Sequence, residues 1–302
     1  TDSPRSHRSW HPTFHLAGYR CGDLPGHGIA GLLDGVDLMT KTTGFRRGPQ
    51  MMRLADRHEI ATGIYSVRLI PHEPVPHVVP GTFLDLLLGG GHVLRRPLSI
   101  ADADDEGYTL VFRVVGKGTD TLSVKPIGAE VDVLGPLGHG FDVDAVQPEG
   151  RALLIGGGVG IPPLYLLGRR LVERGVEVQF RLGFRDRNDI FWAERFGQLG
   201  EVLVSTDDGS VGTKGTVAQI AETDEARRFV PDLVQACGPL PMLRWVKSAL
   251  APTVRTQLSL EERMACGVGA CYACVVGDAR NPDHQFRVCF DGPVLAAEEV
   301  LL

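Results

Sequence analysis

Cysteine is distributed unevenly along this 302-residue chain: Cys21 and Cys237 stand alone, whereas Cys266, Cys271, Cys274 and Cys289 crowd together. Their spacing is C-x4-C-x2-C-x14-C, a close trio with a distant fourth thiol. That is the plant-type ligand pattern of a [2Fe–2S] cluster, which needs four thiolates in one loop-rich lobe. Gly267, Gly269 and the small Ala265, Ala270 and Ala273 let the backbone wrap closely, so that loop amides can donate to the cluster sulfurs. A structural zinc site is the competing chemistry. Zinc ribbons favour two C-x2-C pairs, and Cys271/Cys274 forms only one.

Four further stretches carry groups suited to phosphate or nucleotide. Arg96-Pro97-Leu98-Ser99 opens a strand, with a guanidinium able to pair with a pyrophosphate and a hydroxyl three residues on. Gly116-Lys117-Gly118-Thr119 is a glycine turn that could turn backbone N–H groups toward phosphate. Gly156-Gly157-Gly158-Val159-Gly160 follows an apolar strand and precedes a helical stretch, a place where the backbone and a helix N-terminus approach phosphate. Ile161-Pro162-Pro163 follows it, so it is not the G-x-G-x-x-G fingerprint. Cys237-Gly238-Pro239 ends another strand before a helix, and ligands bind at that end of parallel strands. Buried cysteine is also simply a small hydrophobe. Arg185 and Arg187 could hold a 2′-phosphate while Asp186 between them would repel one, which leaves NAD against NADP open.

The elements that position these groups can be read from the pattern. With 43% hydrophobic and 23% charged residues, the chain is ordinary for a globular protein of about two domains. Its net charge of −6, from 31 basic and 37 acidic residues, argues against nucleic acid as the main partner. No apolar run reaches the roughly 18 residues of a membrane span, and no signal peptide is visible, which predicts a cytoplasmic protein with reduced thiols. Residues 1–50 hold four of the ten histidines and no period, and read as a poorly ordered extension or a mis-assigned start. Over 51–148, short runs at 64–70, 82–88, 108–115 and 130–134, punctuated by Pro and Gly, predict an antiparallel β-barrel. Over 149–254, strands at 152–155, 176–183, 201–205 and 232–237 alternate with helices near 162–173, 190–196, 216–222 and 242–250. That alternation predicts a parallel sheet wrapped by helices. Past a strand-like stretch at 254–260, the lobe of 255–302 loses regular periodicity and ends in a short acidic tail. The fold class is therefore multidomain α+β, with a barrel, an α/β nucleotide-binding domain and a small cysteine lobe.

From about Met52 to Leu302 the chain resembles the iron–sulfur electron-transfer subunit of class B dihydroorotate dehydrogenase, in the ferredoxin reductase superfamily. The stretches that carry the resemblance are RRPLSI, VFRVVGKGT, VLGPLGHGF, LLIGGGVGIPPL, LGFRDRNDIFW, STDDGSVGTKG, ACGPLPML, SLEERMACGVGACYAC and RVCFDGPVL. The resemblance implies FAD on the barrel, with Arg96 on its phosphates, Pro97 and Leu98 beside it, and Ser99 near the isoalloxazine. It implies Val111, Phe112 and Arg113 as a second FAD segment and Gly118 and Thr119 as a third. Gly156, Gly157, Gly158, Gly160, Cys237, Gly238 and Pro239 would border the nicotinamide, with Ser99 and Cys237 nearest the reacting centre. The four clustered cysteines would ligate the [2Fe–2S] cluster, and NAD is favoured over NADP. The implied partner is an FMN-containing catalytic subunit that oxidises dihydroorotate, in a heterotetramer of two of each chain, in pyrimidine biosynthesis. No base in this chain is assigned to dihydroorotate itself. Two other readings stay open: a reductase subunit of a ferredoxin:NAD(P) oxidoreductase or hydrogenase complex, and a zinc-stabilised nucleotide-binding redox sensor.

Overall fold

A computed structural model describes residues 48–91 and 93–302, so the expected extension over residues 1–50 lies almost wholly outside the described residues. Six antiparallel strands come first: β1 (Gln50–Ala61), β2 (Ile64–Pro71), β3 (Phe83–Leu87), β4 (Arg96–Ala103), β5 (Tyr108–Arg113) and β6 (Glu130–Leu137). They close into a barrel in the order β1-β2-β5-β4-β3-β6. Alternating residues such as Met52, Leu54, Val67, Leu69, Leu84 and Leu86 point inward and fill it. Gly116–Thr119, read from sequence as a glycine turn, instead open a helix, α1 (Lys117–Val124). Thr119 closes its first turn, accepting from the backbone N–H groups of Val115 and Gly116. Leu122 then buries into the barrel core and fixes the helix there.

The second half is a seven-stranded sheet. Its parallel strands are β7 (Arg151–Gly157), β8 (Glu177–Phe184), β9 (Glu201–Thr206), β10 (Thr213–Lys214), β11 (Leu233–Cys237) and β12 (Arg255–Ser259). Helices α2 (Pro163–Glu173), α3 (Ala193–Gly197), α4 (Val217–Ile220), α5 (Asp224–Arg228) and α6 (Leu240–Ala249) connect them. The strands are apolar nearly throughout because both faces are covered. Leu154, Phe180 and Leu167 pack on one side, Ile155, Val234 and Val246 on the other. The expected helix near 190–196 starts only at Ala193, because Trp192 sits at φ 57°, in the left-handed region.

The C-terminal segment is more ordered than its composition suggests. It forms β13 (Val275–Asp278), β14 (Gln285–Arg287), β15 (Val294–Ala296) and β16 (Val300–Leu301). Three of them make a small sheet in the order β14-β13-β16, and β15 joins the large sheet antiparallel to β12. The cysteine lobe therefore shares two strands with the nucleotide domain. Asp102 on β4 also ties the barrel to the α/β domain, pairing with Arg169 on α2 at 2.7 Å and Arg195 on α3 at 3.5 Å. Among the described residues no helix is long and apolar enough to cross a membrane.

Candidate functional site

The large sheet runs β10-β9-β8-β7-β11-β12-β15, so its strand order reverses between β7 and β11. Ligands of open α/β sheets bind outside the carboxyl ends of the strands at such a switch point. Here Gly156 lies in register with Cys237, which sets the turn at 156–160 directly beside the turn at 237–239. The approach is so close that a Cβ on Gly160 would lie 2.5 Å from the Cys237 carbonyl oxygen and 2.5 Å from Gly238 Cα. In front of these turns opens a cleft of about 680 Å³. Gly157, Gly158 and Pro239 line it, together with Phe184, Arg185, Asp207, Met242 and Trp245. Gly156, Gly160 and Gly238 lie behind and shape the walls: a Cβ on Gly156 would meet Ile161 at 2.8 Å, and one on Gly238 would meet Met242 at 2.7 Å. Cys237 is buried as well. Burial, reinforced by the Glu261 carboxylate, pushes its thiol up to about 12, so it stays protonated near neutral pH. Of the cationic pair flagged in the sequence, Arg185 lines the cleft, whereas Arg187 donates to the Ser210 carbonyl at 2.8 Å.

A second cleft lies on the barrel. Arg96, Pro97, Leu98 and Ser99 on β4, Val111, Phe112 and Arg113 on β5, and Thr119 on α1 all line it. Gly118 completes the set from beneath, since a Cβ there would stand 2.2 Å from Arg96 Nε. Only glycine lets the guanidinium lie against the start of α1. Arg113 belongs to both clefts, and its guanidinium is held at 2.9 Å by Asp189, a carboxylate 6% exposed. The facing wall was missed from sequence: Ser259, Leu260, Glu261, Glu262 and Met264. It lies within the SLEERMACGVGACYAC stretch that carries the resemblance, but no residue of it was assigned to a site, because its charged residues read as ordinary surface.

The four clustered cysteines are all free thiols in one lobe. The gap of fourteen residues before Cys289 is a hairpin: Val275 pairs with Arg287, and Val288 N–H donates to the Cys274 carbonyl at 2.8 Å. Cys289 thereby returns to Cys274, its N–H 3.4 Å from the Cys274 Sγ. Cys266 contacts Cys271 and Cys289 contacts Cys274, and Cys266 also lies close enough to act on Cys289. Among the described residues no group of three His, Cys, Asp or Glu side chains converges as the cage of a single ion. The loop fits a cluster in other respects. Gly269 donates its N–H to Cys289 Sγ at 3.2 Å, and Gly267 and Gly269 have φ of 69° and 78°. Arg287 stitches the loop shut: its guanidinium pairs with Asp291 at 2.9 Å, donates to the Gly269 carbonyl at 3.3 Å and lies over Phe290. Burial acts to raise the Cys266 thiol, but hydrogen bonds from the Val268 backbone and from Cys271 outweigh it and bring it down to about 7. Cys289 goes the other way, to about 12, chiefly by burial and then by its contact with Cys274.

Residues 261–301 match the iron–sulfur cluster binding domain of dihydroorotate dehydrogenase B. Over 254 residues the chain is 45% identical to the dihydroorotate dehydrogenase B (NAD(+)) electron transfer subunit of Listeria monocytogenes, covering 83% of this chain and 98% of that one. The chain belongs to this electron-transfer subunit family. The Fusobacterium nucleatum member is 42% identical over 247 residues, covering 80% of this chain and 94% of its own. Among solved structures, one from the NADH-dependent reduced ferredoxin-NADP oxidoreductase superposes with a TM-score of 0.74 at 30% identity, covering 84% of this chain and 91% of that chain. The ferredoxin reductase-like architecture, an oxidoreductase role and a cofactor set of FAD, an iron–sulfur cluster and NAD accord with this membership.

Proposed function

We propose that this chain is the NAD-linked electron-transfer subunit of a dihydroorotate dehydrogenase, carrying electrons from an FMN-containing catalytic subunit toward NAD in pyrimidine biosynthesis. One observation carries the reading: the cleft walled by Arg96–Ser99 and Val111–Arg113 is closed on its other side by Ser259–Met264, the segment that runs directly into Cys266. A flavin in that cleft lies between the nicotinamide turns and the cysteine loop. FAD, when bound, supplies the one chemistry that links a two-electron hydride carrier to a one-electron cluster.

This chain's own residues then do the holding. Arg96, free to leave the Leu94 and Arg95 carbonyls it now contacts, takes a pyrophosphate oxygen, and Ser99 presents its hydroxyl to the ring system. Val111 and Phe112 supply an apolar wall, and the Arg113–Asp189 pair fixes the edge shared with the nicotinamide cleft. Gly118 and Thr119 keep α1 close beneath. Gly157, Gly158 and Pro239 receive the nicotinamide nucleotide, with the protonated Cys237 thiol as a neutral floor behind them. Asp207 follows β9 and lines the cleft, where a carboxylate accepts from ribose hydroxyls and repels a 2′-phosphate; this supports NAD. Cys266, Cys271, Cys274 and Cys289 would hold the iron–sulfur cluster, which when bound takes up and passes on one electron at a time. The partner is expected in a heterotetramer of two of each chain, in the cytoplasm, where the free thiols stay reduced.

Co-expression with a candidate FMN-containing chain tests the reading. Dihydroorotate-dependent NAD reduction is expected only with both chains present, and its absence with every cognate partner refutes the assignment. The 30% identity to the ferredoxin-NADP oxidoreductase chain supports one other reading, a reductase subunit that serves ferredoxin. Recovery of a ferredoxin instead of an FMN-containing chain selects it.

A further inference from the structure

One charged side chain between the barrel and the cysteine lobe has no part in the reading above. Asp85, on β3, is 1% exposed, and its Oδ1 has no hydrogen-bond partner among the described residues. Its strand register places it opposite Pro97 of the flavin-binding stretch. Its other side faces the cysteine loop: a Cβ on Gly267, the residue after Cys266, would stand 2.6 Å from Asp85 Oδ2. Gly267 is therefore glycine partly so that the loop can settle on this carboxylate. Two arginines are near, yet both are engaged elsewhere. Arg95 pairs with Asp132 at 2.9 Å and donates to the Asp85 backbone carbonyl at 3.1 Å, while Arg96 turns to the carbonyls of Leu94 and Arg95. The carboxylate is thus buried without a contact ion pair, an arrangement that costs stability.

We propose that Asp85 supplies a fixed negative charge beneath the cysteine loop and so holds the cluster at a lower reduction potential than the loop alone would give. Reduction adds one electron to the cluster without making or breaking a bond, so a nearby anion that lacks a contact ion pair opposes it directly, and the low-dielectric seam screens the interaction poorly. Burial raises the Asp85 carboxyl to about 6 against the opposing pull of Arg95 and Arg96, which leaves it ionised at pH 8. The inference rests on the ligand assignment made above for Cys266, Cys271, Cys274 and Cys289.

The test is an anaerobic redox titration of the full FAD- and cluster-loaded chain at pH 8, read by the paramagnetic resonance of the reduced cluster. In Asp85→Asn the midpoint should rise, so that at the wild-type midpoint the reduced form exceeds the oxidised by about tenfold, about 59 mV for a one-electron couple. Asp85→Glu, which keeps the charge, should stay within about twofold of wild type on the same scale. Asp85→Ser, smaller and neutral, should move in the same direction as Asp85→Asn. An Asp85→Asn titration within about twofold of wild type overturns the proposal. Loss of the cluster from both neutral variants but not from Asp85→Glu also overturns it, since Asp85 would then be an anchor of the loop. Failure of the ligand assignment reads differently: the wild-type chain would lack the resonance, or Cys266→Ser would keep it undiminished.

Discussion

Replacing Gly160 with alanine tests the junction on which the nicotinamide cleft depends. The added Cβ would fall 2.5 Å from the Cys237 carbonyl oxygen, 2.5 Å from Gly238 Cα and 2.6 Å from the Cys237 carbonyl carbon. Non-bonded heavy atoms settle at about 3.5–4.0 Å, so the two turns must part by about 1 Å. All three obstacles are backbone, and neither turn can yield by rotating a side chain. Overpacking of this kind costs about 1–3 kcal/mol. At about 2–4 °C per kcal/mol for a unit of this size, the thermal midpoint should fall by about 2–12 °C. The functional cost should be larger, because both walls of the cleft move, and a misplacement of about 1 Å can reduce turnover by about a hundredfold.

The assay is NADH oxidation by the flavin-loaded chain with a dye acceptor, which bypasses any partner. The kcat/KM for NADH should fall between about tenfold and a hundredfold, while FAD and iron contents stay at wild-type levels. Gly175→Ala is the matched comparison. Gly175, just past α2 and outside both clefts, has φ 82°, but nothing lies within 4 Å of an added Cβ, so only left-handed strain of about 1 kcal/mol remains. Wild-type kinetics and melting in Gly160→Ala, or an equal loss in both variants, would refute the reasoning.

Cys274→Ser and Cys289→Ser remove members of one thiol pair, and each should abolish the cluster's visible bands while the flavin spectrum persists. Arg113→Met leaves Asp189, 6% exposed, with only Arg185 at 3.8 Å, so stability should fall by about 1–3 kcal/mol in denaturant titration, and FAD should dissociate more readily. In the cluster-free chain, with Cys266 near 7 and both Cys237 and Cys289 near 12, iodoacetamide should label Cys266 first, with a rate that rises through pH 7 as its thiolate forms. Peptide mass spectrometry checks the order, and early labelling of Cys237 contradicts its buried, protonated state.

What the sequence made legible follows physical lines. The turn at 156–160 could be read because an apolar strand, a run of glycines and a helical stretch form a local signal, and the structure sets it where that signal points. Arg96–Ser99 and Val111–Arg113 look weak in isolation, and it is the pairing of β4 with β5 that joins them in one cleft. Helix α1 escaped notice because KGTDTLSV contains glycine, two threonines and valine, poor helix formers; its cap and the burial of Leu122 hold it instead. The strands β13 to β16 are two to four residues long, too short to show a period, and their pairing depends on the hairpin that returns Cys289 to Cys274. Glu261 and Glu262 line the flavin cleft only because of where β12 delivers them, and no local pattern separates them from surface charge.

That delivery bears on how the three sites are coupled. Ser259, the last residue of β12, lies in register with Cys237 at the nicotinamide turn. From there the chain crosses the face of the flavin cleft at Leu260, Glu261, Glu262 and Met264 and enters the cysteine loop at Cys266. β15 then returns from the lobe to pair with β12, and His139 beside the barrel donates its N–H to the Gly292 carbonyl at 2.6 Å. The lobe is therefore no module hung on a finished reductase, because a cut before Arg255 would strip β12 from β11 and remove one wall of the barrel cleft together with the four clustered cysteines. A short covalent path, pinned at both ends by sheet pairing, fixes the spacing of nicotinamide turn, flavin cleft and cysteine loop. Electron transfer between bound groups needs that fixed spacing, and a flexible tether would not provide it.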